Sequence, residues 1–191
     1  MFALVIITGI LCIADVNGLK SYTVDLSSST SAIWPFWETC TTFDHGYQAL
    51  RADWQESLLE THKDLGTQFV RFHETFDDDI GIANPKHPTS GNGDSPYSYI
   101  NIDKIYDYIL SIGMKPLVEL DMMPSSFVPP QQTSAMYNRP VYTGPPSNIT
   151  QWEEFITSFF QHLTDRYGAQ EISTWAFEAW NEPKYVNKPV L

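Results

Sequence analysis

The chain has 191 residues, 42% of them hydrophobic and 14% aromatic, enough to bury a core and too apolar for a compositionally disordered polymer. Its net charge of −12 argues against a nucleic-acid partner, because no basic stripe is available to neutralise phosphates. The acidity leaves neutral ligands open, although acidity that only keeps the chain soluble accounts for it equally well.

Taken in chain order, Met1 to Ile13 form one apolar run (Phe2, Leu4, Val5, Ile6, Ile7, Ile10, Leu11, Ile13), too short to cross a bilayer as a helix. It reads as a signal peptide, residues 1–18, with small residues at Val16-Asn17-Gly18 placing cleavage after Gly18. The mature chain, 19–191, is then expected to be secreted or lumenal, with no membrane attachment. Cleavage removes Asp15 and Cys12, taking the net charge from −12 to −11 and leaving Cys40 as the one cysteine, so no intrachain disulfide can form. Asn148-Ile149-Thr150 is a glycosylation sequon in a Pro/Gly-rich loop, whose use the sequence leaves open.

A first strand is expected near Ile33 to Trp37. Three segments then repeat one pattern, an amphipathic helix closed by Gly and followed by an apolar strand, the local signature of αβ units in a parallel sheet. In the first, Leu50, Trp54, Leu58 and Leu65 share a helical face before Gly66, and Gln68 to His73 reads as a strand. In the second, Ile102, Ile105, Tyr106, Ile109 and Leu110 precede Gly113, and Pro116 to Leu120 follows. The third helix carries Trp152, Phe155, Ile156, Phe159, Phe160, Leu163 and Tyr167 at helical spacing; Thr150 and Glu153 form a capping box, and Gly168 ends it before a strand within Ser173 to Trp180.

The strand-to-helix connections Asp77 to Tyr97 and Pro124 to Asn148 are long and rich in Pro and Gly, whereas the helix-to-strand connections are short. Long loops of this kind in a compact domain are commonly functional, and in a βα barrel they gather at the carboxyl ends of the strands. Chemistry is therefore expected at strand ends. Trp175 to Pro183 puts Asn181 and Glu182 at such an end, stopped by a proline that cannot continue the ladder. Glu182 in that place suits a general acid, whose raised pKa would come from burial beside aromatic walls. The Asn181 amide suits a hydroxyl. The competing reading of an isolated Asn-Glu-Pro triplet is a turn after a strand.

His73 ends a strand before an acidic loop, a place for binding hydroxyls or for an ordinary structural histidine. Asp77, Asp78 and Asp79 are adjacent and cannot all face one ion, so they are expected to support the loop, with no metal site. Glu119 and Glu178 lie inside strands and are read as structural carboxylates that need a partner such as Arg71.

From about Trp34 to Pro183 the chain resembles glycoside hydrolase family 39, the family of β-xylosidases and α-L-iduronidases. The resemblance is carried by Arg71-Phe72-His73 with Phe76-Asp77-Asp78-Asp79 and by Ser111 to Glu119 with Met123-Pro124. Arg166-Tyr167-Gly168 leading to Trp175, and Phe177-Glu178 leading to Trp180-Asn181-Glu182-Pro183, complete it. It implies an α/β fold, a (β/α)8 TIM barrel present here as roughly its first four βα units. It also implies hydrolysis of O-glycosidic bonds with retention, β-xylosidase-like, on a carbohydrate substrate and without a cofactor. By that likeness Glu182 would be the acid/base, and Asn181 and His73 would bind the sugar. Relatives usually show a Gly-rich turn where this chain has Trp37 to Gly46, so His45 is the further candidate for substrate contact there. Met122 stands where many xylosidase relatives place an aromatic against the sugar.

A retaining glycosidase uses two carboxyl groups roughly 5 Å apart, and the second is expected on the seventh strand of such a barrel. The chain by itself is thus expected to be an inactive N-terminal half. An α-L-iduronidase-like glycosidase and a non-catalytic sugar-binding remnant are the alternatives.

Overall fold

In the computed structural model, the residues described are 21–24, 34–83, 96–128, 134–136 and 139–182. The signal-peptide segment and its cleavage point lie outside them, as does Pro183. Backbone contacts divide the chain into two compact units, 1–34 and 35–191, and every element named below belongs to the second. Among the described residues no helix is long and apolar enough to cross a membrane.

The second unit is built on a parallel sheet of β1 (Cys40–His45), β2 (Phe69–His73), β3 (Lys115–Glu119) and β6 (Ala176–Glu178), paired in the order β1-β2-β3-β6. Helices α1 (Ala52–Leu65), α2 (Ile100–Ser111), α3 (Ile149–Tyr167) and the short α4 (Ala169–Ile172) lie between consecutive strands of that sheet. Each strand pairs with the next one along the chain. With right-handed crossovers that order puts every helix on one face, as in a singly wound barrel and unlike an open sheet whose strand order reverses.

Strand alternation then sorts the side chains. Phe43, Phe72, Val118 and Phe177 are register partners in one layer. Phe72 and Val118, with Val70 below them, are buried in one cluster with Leu58 of α1, Ile102, Ile105 and Ile109 of α2, and Phe155, Phe159 and Leu163 of α3. The opposite face carries Arg71, His73, Glu119 and Glu178, so polar chemistry is confined to the side away from the helices.

The helices end where the sequence leads one to expect. Gly66 closes α1 at φ +70°, a left-handed conformation that glycine reaches without a Cβ penalty. Phe76, from the loop after β2, packs edge-on against Phe155 and Phe159 with ring centroids 4.8 and 4.9 Å apart. That loop is therefore anchored in the core, along with Ile80, Ile82 and Ala83.

Three expectations need correction, and the connection after β3 adds an element. Phe36–Glu38 form a 3-10 turn, and the first strand is Cys40–His45; the aromatics of Trp34 to Trp37 mimic a strand by composition, but Pro35 interrupts any ladder there. What looked like a replacement for a turn is thus the strand itself. Leu65 is 58% exposed and does not share the buried face of Leu58, because it falls in the last helical turn where the chain leaves the core. The α3 N-cap is Asn148, whose Oδ1 accepts from the backbone N–H groups of Thr150 and Gln151 at 3.0 and 3.3 Å; Thr150 is already helical, so the capping box does not form. Finally, the connection after β3 contains a small antiparallel hairpin, β4 (Ser134–Met136) with β5 (Arg139–Val141).

Candidate functional site at the carboxyl ends of the strands

Arg71 sits at the centre of the polar face. Its Nε and Nη2 reach the two carboxylate oxygens of Glu178 at 2.9 and 3.2 Å, and Nη2 also donates to Asn181 Oδ1 at 3.0 Å. The same guanidinium forms an ion pair with Glu119 Oε1. One cation from β2 thereby ties β3, β6 and the segment after β6. Only Arg has the planar fork that can serve several carboxylate and amide oxygens at once. Glu119 is 0% exposed and Arg71 is 21% exposed at the side chain, so the carboxylate that most needs a partner in low dielectric has one. The structural reading of Glu119 and Glu178 as partners of Arg71 agrees with these contacts.

His73, the last residue of β2, places Nδ1 2.8 Å from Glu119 Oε2 and leaves the ring 36% exposed. The turn that follows is held by Asp121, two residues beyond Glu119 on the same face. Asp121 Oδ1 accepts the Glu74 N–H at 3.0 Å, and its carbonyl accepts the Phe76 N–H at 2.6 Å. Glu74 lies at φ +70°, an uncommon conformation for a non-glycine residue, and these two bonds hold it. Burial pushes the Asp121 carboxyl up to about 6, with His73, the Asn181 N–H and Arg71 drawing it back down. Sequence reasoning passed over Asp121, although the alternation that faces Glu119 inward also faces Asp121 inward.

Asn181 and Glu182 follow β6 and so stand at the same strand ends as His73. Glu182 takes φ +43° and is exposed; the described residues do not supply the expected burial beside aromatic walls. Glu182 lies four residues beyond the end of β6, and the nearby Trp180 packs partly buried against the core. His45 is the register partner of His73, beyond a bulge that leaves Asp44 out of the register. Its Nε2 lies 3.1 Å from Asp79 Oδ2 and its Nδ1 3.6 Å from Asp44, so neighbouring acids already occupy both ring nitrogens. Met122 is buried and so does not line an open surface.

The three consecutive acids support the loop. Asp78 Oδ1 accepts the Ser125 N–H at 3.0 Å and Asp77 Oδ1 accepts the Asp79 N–H at 3.2 Å. Burial, with the two neighbouring acids, pushes the Asp77 carboxyl up to about 7. Among the described residues, His73, Glu119 and Asp121 bring one ligand atom each to within 4.8 Å of one another, close enough to hold a cation. The Arg71 guanidinium against Glu119 already supplies positive charge there.

Comparison with known proteins places this geometry in context. Residues 21–188 match the model of glycosyl hydrolases family 39. A β-xylosidase of Caldicellulosiruptor saccharolyticus is 34% identical over 165 residues, covering 86% of this chain and 33% of the relative. The solved structure of a family 39 β-xylosidase from Caulobacter crescentus superposes with a TM-score of 0.70 at 32% identity, covering 83% of this chain and 34% of that one. A mouse α-L-iduronidase is 24% identical over 171 residues, covering 85% of this chain and 24% of the relative. The chain spans a quarter to a third of the length of these proteins.

Proposed function

The chain belongs to glycosyl hydrolase family 39, and from that premise we propose that the protein of which it forms the first βα units hydrolyses β-xylosides or related O-glycosides with retention. In this reading Glu182 protonates the departing glycosidic oxygen and then, as the base, activates water. Asn181 and His73 bind hydroxyls of the sugar on the cleaved side. The observation that carries the reading is the common placement of Glu182, Asn181 and His73 at the carboxyl ends of parallel strands, with Arg71 bridging β2, β3 and the residues after β6. Strand carboxyl ends are where barrel enzymes assemble their sites. His45, tied to Asp79, is a weaker candidate for contact with substrate.

Retention requires a second carboxyl as nucleophile, roughly 5 Å from the first. We assign that role to a part of the whole protein other than these strands, and also the walls that desolvate Glu182. We further propose that Met1 to Gly18 direct the protein to a secreted or lumenal location, on the strength of the apolar run at its start. An α-L-iduronide is the second reading, drawn from the mouse relative. The three carboxylates Glu119, Glu178 and Asp121 around a single arginine favour a neutral sugar over one bearing its own carboxylate.

The test uses the whole protein on aryl β-xylosides of graded leaving-group ability, with aryl α-L-iduronides in parallel. Loss of a general acid slows substrates with poor leaving groups far more than those with good ones. Glu182→Gln is expected to do this, with the first-formed product keeping the anomeric configuration. Equal slowing of all substrates, or inversion, defeats the assignment. Residues 19–191 alone are expected to show no turnover above their own Glu182→Gln control.

A further inference from the structure

Asn181 and His73 each have one polar atom taken by a neighbour and one left over. Arg71 Nη2 donates to Asn181 Oδ1 at 3.0 Å. A guanidinium only donates, so the opposite amide orientation would set donor against donor. Asn181 therefore turns its Nδ2, with two N–H groups, away from Arg71, and among the described residues no acceptor takes it. Glu119 acts on His73 in the complementary sense. Its Oε1 is held by Arg71 and its Oε2 lies 2.8 Å from His73 Nδ1. A carboxylate only accepts, so Nδ1 carries the hydrogen and the neutral ring keeps a bare lone pair on Nε2. No described residue donates to that atom. The strand ends thus present one donor and one acceptor, the two senses in which sugar hydroxyls hydrogen-bond.

We propose that Arg71 and Glu119 are positioning residues that set this polarity, making Asn181 Nδ2 the donor and His73 Nε2 the acceptor of a site for neutral sugar hydroxyls. Its choice of ligand rests on the hydrolase reading above, whereas the polarity does not. Ordinary orienting contacts of this kind fix which ring nitrogen of a functional histidine is free. The surrounding charge acts in the same direction: a carboxylate placed here would meet the Nε2 lone pair and the negative field of Glu119, Glu178 and Asp121.

The arrangement predicts an inversion. In Glu119→Gln the amide oxygen must turn to Arg71, so the amide NH2 faces His73 and forces Nδ1 to become an acceptor. The ring then carries its hydrogen on Nε2. The experiment is two-bond proton–nitrogen correlation at pH 8 on the full chain labelled with 15N-histidine, with His73 assigned among the five histidines by its loss in His73→Gln. The wild-type ring is expected as the Nδ1–H tautomer and Glu119→Gln as the Nε2–H tautomer. A wild-type ring in the Nε2–H form overturns the proposal without needing any variant to fold, and an unchanged tautomer in Glu119→Gln removes Glu119 from the role. Methyl β-xyloside is the ligand probe. It is expected to shift His73 Nε2 in the wild type and to bind roughly tenfold more weakly to Glu119→Gln, the effect of one mismatched hydrogen bond. The expected tautomers without any response to the sugar would refute the ligand assignment and count against the hydrolase reading, while leaving the polarity standing.

Discussion

Replacing Arg71 with Met keeps much of the side-chain volume and removes the guanidinium that serves Glu119, Glu178 and Asn181. The cost can be worked from exposure. Glu178 is 33% exposed at the side chain and can turn to water, so its share is that of a surface pair, about 0.5 kcal/mol. Glu119 is 0% exposed and cannot, and stranding a buried charge costs about 3–5 kcal/mol. The expected loss at pH 8 is therefore about 3.5 kcal/mol, the low end of the combined range because His73 still faces Oε2. In the variant, Glu119 should hold its proton to a higher pH than it does unfolded. The folded state then binds more protons than the unfolded one, so stability falls as pH rises, and the deficit against wild type should shrink to about 1 kcal/mol at pH 5. Urea unfolding followed by circular dichroism measures this, provided the slope with denaturant is unchanged. Adding Glu119→Gln to Arg71→Met should recover most of the loss at pH 8. A deficit below about 1 kcal/mol at pH 8, or the same deficit at both pH values, would show that Arg71 does not hold a buried charge in place.

Two further outcomes follow from other parts of the fold. Asp77, pushed up to about 7 by burial and by Asp78 and Asp79, has a folded-state pKa above its unfolded value; its stabilising contribution is full at low pH and is lost as pH rises through about 7. Asp77→Asn, which cannot ionise and keeps an acceptor for the Asp79 N–H, should raise the melting temperature by a few degrees at pH 8 and leave it unchanged at pH 4, as scanning calorimetry will report. Removing the α3 cap by Asn148→Ala should cost about 1 kcal/mol, and Asn148→Asp, which retains an acceptor for the Thr150 and Gln151 N–H groups, should cost almost nothing in guanidinium unfolding.

Periodicity and punctuation in the chain were sufficient to locate α1, α2, α3, β2 and β3 to within a residue or two, because Gly66, Gly113 and Gly168 sit at turns of positive φ that other residues resist. The candidate site was legible for a similar reason. Polar residues that interrupt an apolar strand near its end, such as His73 and Glu119, are costly to bury and stay there only where a partner or a ligand meets them. The first strand was misplaced because Trp34 to Trp37 carry strand-like composition, whereas Cys40–His45 is half polar and becomes a strand only by pairing with β2. The cap of α3 was misassigned by two residues, since Asn148 and Thr150 are both good cap residues and only the path of the chain selects between them.

By themselves, then, the residues determined the parallel α/β plan and which side chains stand at strand ends, since both depend on local spacing. What only the tertiary structure decided is how those side chains are connected. Arg71, Glu119 and Asn181 are far apart in sequence, and whether Arg71 would choose Glu119, Glu178 or both depends on strand register and on the distance between neighbouring strands. The same holds for His45, which sits beside His73 in register yet has its ring taken by Asp79 from the loop. Hydrogen-bond polarity, unlike secondary structure, is a property of partners brought together across strands, and no single stretch of the chain contains it.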